Sequence, residues 1–223
     1  MLSSPAVAQD LKPLCPDRGA IQPCVVDPGH VQVEVSLTDW FDDADSTLLL
    51  GDTVVRLGLN ENTEVQVGLS PWVRKGSRVG QGDLRLALRR NIKDDQLSLA
   101  VQPMLVLPTG SQNASQGRLG AGVALGATYD VSPSTQLYAS PTVFVLPTPL
   151  ISGAVGVNQT LYGPIGGTIE VFAQHSAGQT QASLDFTTVW TASRNVEIDL
   201  NANVGLTRDT PTLELVLGVT KRF

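Results

Sequence analysis

The stretch VEIDLNANVGL, Val196–Leu206, alternates without error. Val196, Ile198, Leu200, Ala202, Val204 and Leu206 fall on one side, and Glu197, Asp199, Asn201, Asn203 and Gly205 on the other. Side chains of a β-strand point to opposite faces in turn, so this spacing predicts a strand with one apolar and one polar face. The same period recurs from His30 to the end of the chain. Val31, Val33, Val35 and Leu37 oppose Gln32, Glu34, Ser36 and Thr38; Leu49, Thr53, Val55, Leu57 and Leu59 oppose Asp52, Arg56 and Gly58. Val65, Val67 and Leu69 oppose Glu64, Gln66 and Ser70, and Leu84, Leu86 and Leu88 oppose Asp83, Arg85 and Arg89. Followed to Phe223, the pattern predicts twelve strands. Tight polar turns such as Asn60–Asn62 and Thr191–Asn195 alternate with longer connections such as Phe41–Ser46, Arg74–Gln81 and Pro108–Gly117. This is the layout of an antiparallel meander.

Period alone does not say which face is wet. A soluble sandwich hides its apolar stripes between sheets, whereas a membrane barrel turns them to lipid and encloses the polar ones. Strand length favours the second arrangement. Nearly every strand has room for the ~9 to 11 residues that cross a bilayer obliquely, about twice the length usual in a sandwich. The polar stripe is rich in glycine (Gly68, Gly120, Gly122, Gly126, Gly205, Gly218) and the chain has only four lysines, unlike a surface exposed to bulk water. The fold expected is therefore all-β: a closed antiparallel up-and-down transmembrane β-barrel of about 12 strands, because closure alone pairs every backbone N–H and C=O in hydrocarbon. A soluble ligand-binding β-barrel or sandwich is the alternative, and recovery in plain buffer would favour it.

Composition supports a folded chain of one large unit. Of 223 residues, 42% are hydrophobic and 16% charged, which argues against disorder. The net charge of −6 leaves no basic face for nucleic acid, so none is expected as a partner. Cys15 and Cys24 are the only cysteines, and without further ligands for zinc they read as a disulfide in an oxidising compartment. Ala6-Val7-Ala8 before Gln9 has the form of a signal-peptidase site preceded by too few residues for a full signal. The division expected is an exported N-terminal segment over residues 1–28, carrying the Cys15–Cys24 loop, and a barrel over 29–223.

Several segments together resemble a known family. They are the Cys15–Cys24 pair, Asp27-Pro28-Gly29-His30, LLLGDTVVRLGL (48–59), TEVQVGL (63–69), GDLRLALRRN (82–91), Leu107-Pro108-Thr109-Gly110 and the terminal Lys221-Arg222-Phe223. With these the chain resembles, from residue 15 to 223, bacterial outer-membrane barrels labelled "putative MetA-pathway of phenol degradation", or transporter. The resemblance implies a passive channel for small solutes, including aromatic or hydrophobic compounds, in the cell outer membrane of a Gram-negative bacterium. Outer-membrane lipid, a small-molecule solute and the barrel-assembly machinery are the implied partners. Phe223 on an alternating last strand resembles the signal read by that machinery, with Lys221 a departure from its usual form.

By the same alternation the enclosed set holds the acids Glu34, Asp52, Glu64, Asp83, Glu170, Asp185, Glu197, Asp199 and Glu214 and the bases Arg56, Arg85, Arg89 and Arg222. Water in the lumen would make this a cation-leaning pore. Alternatively Arg56, Arg85 and Arg89 pair with Asp52, Asp83 and neighbouring acids to knit the interior. No catalytic residues, metal or cofactor are expected: His30 and His175 fall at opposite ends, and Asp42, Asp43 and Asp45 lack the alternating ligands of a calcium loop.

Overall fold

The computed structural model describes residues 11–17, 20–145 and 148–223; the processing site expected at Ala6–Ala8 lies outside them. Fourteen strand segments form one antiparallel sheet: β1 Val31–Phe41, β2 Leu48–Asn60, β3 Thr63–Leu69, β4 Trp72–Lys75, β5 Arg78–Gly80, β6 Leu84–Lys93, β7 Leu97–Leu107, β8 Gly120–Ser132, β9 Thr135–Val145, β10 Leu150–Tyr162, β11 Ile165–Ser176, β12 Gln179–Ser193, β13 Val196–Gly205 and β14 Leu213–Arg222. Each pairs with its sequence neighbours, apart from the short β4–β5 hairpin, and β1 pairs both β14 and β2. The sheet is thus closed. Since β4 continues the path of β3 along β2, and β5 leads into β6, the wall has twelve strands.

The greasy stripes lie outside. Leu200, Val155 and Ile169 are 56%, 57% and 56% exposed in mid-strand, while Glu197, Asp185 and Glu170 beside them are buried. Such an inside-out distribution suits lipid and no aqueous fold, where the exposed leucines would be a costly apolar surface. Among the described residues no helix is long and apolar enough to cross a membrane, so the crossing elements are the strands. Tyr129, Tyr162, Trp190 and Phe223 lie exposed at the tight-turn end, where amphipathic rings suit the headgroup boundary. Lys221 sets its ammonium 4.6 Å from the centroid of the Phe223 ring, a cation–π contact.

The alternation is broken in one place. Gly51 adopts φ of +69°, and at this level the β1–β14 register slips between Ser36 and Thr38. Beyond this row the inward positions change parity. Asp39, Leu49 and Val73 line the interior, while Leu50, 40% exposed, faces Trp72 across the strands. The sequence reading is corrected here: Leu49 is not on the lipid face and Thr38 is not on the lumen face. Trp72, paired with Leu50, points outwards. The glycine supplies the backbone conformation that a side chain rarely takes. The loop expected at Arg74–Gln81 is likewise a hairpin, turning at Gly76 with φ of +56° and pairing Lys75 with Arg78. Phe41, read as the start of a connection, is the last residue of β1 and lines the interior.

A lysine substituted for Leu200 places a charge on the lipid face in mid-strand. We expect Leu200→Lys to cost about 2–4 kcal/mol of folding free energy in lipid vesicles, measured by urea titration. Unchanged stability would contradict the orientation of the sheet.

Candidate functional site: a charged lumen and its N-terminal segment

Residues 11–17 and 20–30, ahead of β1, run inside the barrel near the tight-turn end. Cys15 and Cys24 are joined by a disulfide, Cα to Cα 6.4 Å, closing a short loop. A loop this small restrains the unfolded chain by about 2–3 kcal/mol on the chain-entropy account. Glycines of the wall admit its backbone: a Cβ at Gly58 would collide with the carbonyl oxygens of Val26 and Asp27, and one at Gly126 would lie 2.8 Å from that of Ile21. Part of the glycine stripe is therefore a slot for the segment.

Three arginines hold it there. Arg56, 1% exposed, donates from Nη1 to the Cys15 carbonyl at 2.7 Å and to Glu34 Oε1 at 2.7 Å, and from Nε to Glu64 Oε1 at 2.9 Å. Arg89, fully enclosed, pairs with Asp17, donates to the Cys24 carbonyl at 3.2 Å and to Gln102 Oε1 at 2.7 Å. Arg222 donates to the Lys12 carbonyl at 2.6 Å and pairs with Asp27 at 3.0 Å. Reciprocally, Glu64 Oε2 accepts the Val26 N–H at 2.7 Å, Ser140 Oγ accepts that of Ile21 at 3.0 Å, and Asn91 donates to the Pro23 carbonyl at 2.9 Å. A segment without secondary structure has many backbone groups to satisfy once enclosed, and the wall's charged and amide side chains satisfy them.

The remaining sequence-derived positions divide by height. Asp52 pairs with Arg85 at 2.8 Å, with Ser70 bonded to both. Asp83 meets no arginine among the described residues. It accepts the N–H groups of Gly110 and Gln116, each at 2.9 Å, and so pins the β7–β8 loop at the barrel mouth. Partial burial opposes ionisation of Asp83, but hydrogen bonds from Ser115, Gln116, Gly110 and Thr109 outweigh it and hold the carboxyl below its ordinary range. Glu170, Asp185, Asp199 and Glu214 line a cavity of about 1160 Å³ on the loop side. Glu197 lines another of about 1030 Å³ on the tight-turn side. Pro16 and Glu170 border both cavities, so the disulfide loop sits where they meet.

Other lining residues escaped the alternation argument. Asp39 was hidden by the parity change at Gly51, and Asp17 and Asp27 belong to a segment whose path no period reveals. Phe144 and Phe172 were on the polar stripe by position, and both border the loop-side cavity as an apolar flank. Tyr138 reaches over Gly156 to donate to Glu170 Oε2 at 2.6 Å. His30 and His175 bond locally, to the Pro28 carbonyl and to Thr180. Asp43 caps Thr47 through its N–H and hydroxyl. Among the described residues no group of three or more His, Cys, Asp or Glu side chains is placed to hold a metal ion.

A family profile described as "Putative MetA-pathway of phenol degradation" matches residues 17–148, more than half of the chain. The chain belongs to this family. The match takes in the Arg56 and Arg89 anchors and most of the disulfide loop they bind. Among solved structures the phenol-degradation family member is similar to the COG4313 outer membrane channel from Pseudomonas putida F1, with 11% identity, a TM-score of 0.64, and 94% of this chain and 100% of that one covered. It is also similar to the KdgM porin, with 10% identity, TM-score 0.62 and coverage of 87% and 99%. The NanC porin aligns with 8% identity, TM-score 0.63 and coverage of 86% and 98%. At these identities the likeness is one of fold. A search of curated proteins gives no match.

Removing Arg56 would leave Glu34 and Glu64 enclosed without their counter-charge. Arg56→Ala is expected to destabilise the folded barrel by about 3–5 kcal/mol, read as a lowered denaturant midpoint in vesicles. A midpoint equal to that of the parent would show that the ion-pair cluster does not hold the interior.

Proposed function

We propose that the chain is a passive outer-membrane channel for small solutes, with an apolar flank that admits aromatic or hydrophobic compounds. The observation that carries this reading is a closed barrel, apolar outside, with charged cavities above and below its N-terminal segment. Family membership and three structural neighbours that bear the names channel or porin support it. Residues 1–28 are then an exported segment, and its disulfide loop narrows the bore where the two cavities meet. Selection rests on width and lumen charge, with Glu34, Asp52, Asp83, Arg85, Glu170, Asp185, Glu197, Asp199 and Glu214 along the route and Arg56, Glu64, Arg89 and Arg222 fixing the constriction.

The same reading places the chain in the outer membrane of a Gram-negative bacterium, surrounded by lipid. Phe223 at the end of β14 would serve as the signal for barrel assembly. An enzyme is not proposed, since acid–base or nucleophilic catalysis needs groups converging on one point, and the two histidines lie at opposite ends. A soluble binding barrel would expose mid-strand leucines to water, so the apolar exterior weighs against it.

Conductance in planar bilayers tests the proposal. The purified chain should require detergent, migrate differently before and after boiling, and form ion-conducting pores favouring cations. Reversing two lumen charges with Glu197→Lys plus Asp199→Lys should move the reversal potential in a salt gradient towards anion preference. Absence of conductance, or a monodisperse protein in plain buffer, would contradict the channel.

A further inference from the structure

The loop-side cavity carries two pairs of carboxyl groups that no basic side chain accompanies among the described residues. Strand register places Glu170 beside Asp185, Asp185 beside Asn203, Asn203 beside Glu214, and Glu214 beside Phe41. One rung of the sheet, crossing β11, β12, β13, β14 and β1, thus presents acceptors almost without interruption. Glu170 shares a side-chain hydrogen bond with Asp185, and Asp39, one step along β1, shares one with Glu214. Asn203 stands between the pairs and spends its amide N–H on Glu214 Oε2 at 2.9 Å. Ion pairing is concentrated elsewhere, at Arg56, Arg85, Arg89 and Arg222.

A second observation points into the same space. Asp185 and Asn201, 6% and 8% exposed, each have an Oδ1 atom buried without a hydrogen-bond partner, and both residues line the cavity. Asp39 Oδ1 and Asn203 Oδ1 are likewise unpartnered. Every one of these atoms is an acceptor. Enclosed acceptors without donors are costly, and adjacent carboxylates repel, so the site is complementary to a species that brings positive charge and several N–H donors together.

The spacing narrows the species. Neighbouring strands lie about 4.8 Å apart, so the two carboxyl pairs are separated by roughly 14 Å along the wall. One small metal ion cannot serve both, and no three-ligand group is present among the described residues. A flexible chain with ammonium groups at intervals can. Phe144 and Phe172, also on the cavity wall, offer apolar surface to its methylenes. Of the cavity's cationic side chains, Arg85 is occupied by Asp52 and Lys75 lies at the mouth beside the β4–β5 turn. We infer that the loop-side cavity binds aliphatic polyamines, one ammonium at Glu170/Asp185 and another at Glu214/Asp39, with the amide oxygens of Asn201 and Asn203 between. This deepens the channel reading and rests on it for the route by which the ligand enters.

The experiment uses the full chain in detergent, titrated calorimetrically with spermidine, putrescine, n-butylammonium and magnesium ion, with conductance of the same preparation recorded in potassium chloride. Spermidine is expected to bind at least tenfold more tightly than putrescine, putrescine more tightly than butylammonium, and magnesium no better than putrescine at equal charge. Asp185→Asn plus Glu214→Gln should weaken spermidine at least tenfold, and Asp39→Asn alone should weaken it measurably; heat-modifiable migration verifies that each variant is folded. Asp95→Asn, in the exposed β6–β7 turn at the opposite end and outside both cavities, should bind as the parent does. Magnesium matching spermidine, or folded variants with unchanged affinity, would overturn the site. Conductance without spermidine binding removes this inference alone, whereas spermidine binding without conductance removes the channel and leaves a binding barrel.

Discussion

A β-sheet in hydrocarbon survives only if no strand offers unpaired backbone, because each N–H or C=O left without a partner there costs several kcal/mol. The pairing of β1 with both β14 and β2 meets that condition. Everything else in the molecule depends on it. Closure fixes an inside and an outside, and alternation then sends valines and leucines to lipid and the carboxylates, amides and arginines to the interior.

Enclosing so many polar groups creates a second demand, which the chain meets in two ways. At the tight-turn end, Arg56, Arg89 and Arg222 are matched to Glu34, Glu64, Asp17 and Asp27 and to carbonyl oxygens of the disulfide-bonded segment. Charge is used there for construction. On the loop side the pairing is incomplete among the described residues, with acceptors left open towards a cavity, and in the proposed channel charge there serves solutes. The difference between the two ends separates a built constriction from a permissive vestibule. Glycine serves both: Gly58 and Gly126 admit the segment's backbone, and Gly122 and Gly156 make room for Phe144 and Tyr138.

The fold was legible because a membrane barrel repeats one instruction. In β13 each residue from Val196 to Val204 alternates between lipid and interior, and the same reading locates twelve wall strands. Legibility ends where the backbone departs from the repeat. Gly51 at positive φ shifts the parity of three neighbouring strands, which hid Asp39 and reversed Leu49 and Thr38. The enclosed charges were visible from period, but their partners were not. Asp83 bonds to loop amides and to no described arginine, and Glu64 is shared between Arg56, Arg89 and the Val26 N–H. Such choices follow from where an irregular segment lies, and residues 11–29 carry no period from which its path could be read.

Amide hydrogen exchange along β1, with the chain reconstituted in lipid, tests closure most directly. Successive amides of β1 face β14 and β2 in turn, so a closed wall predicts that both sets, from Val33 to Trp40, are protected as strongly as those of β12 in mid-sheet. Rapid exchange of every second amide along one side of β1 would show an open edge and contradict the barrel.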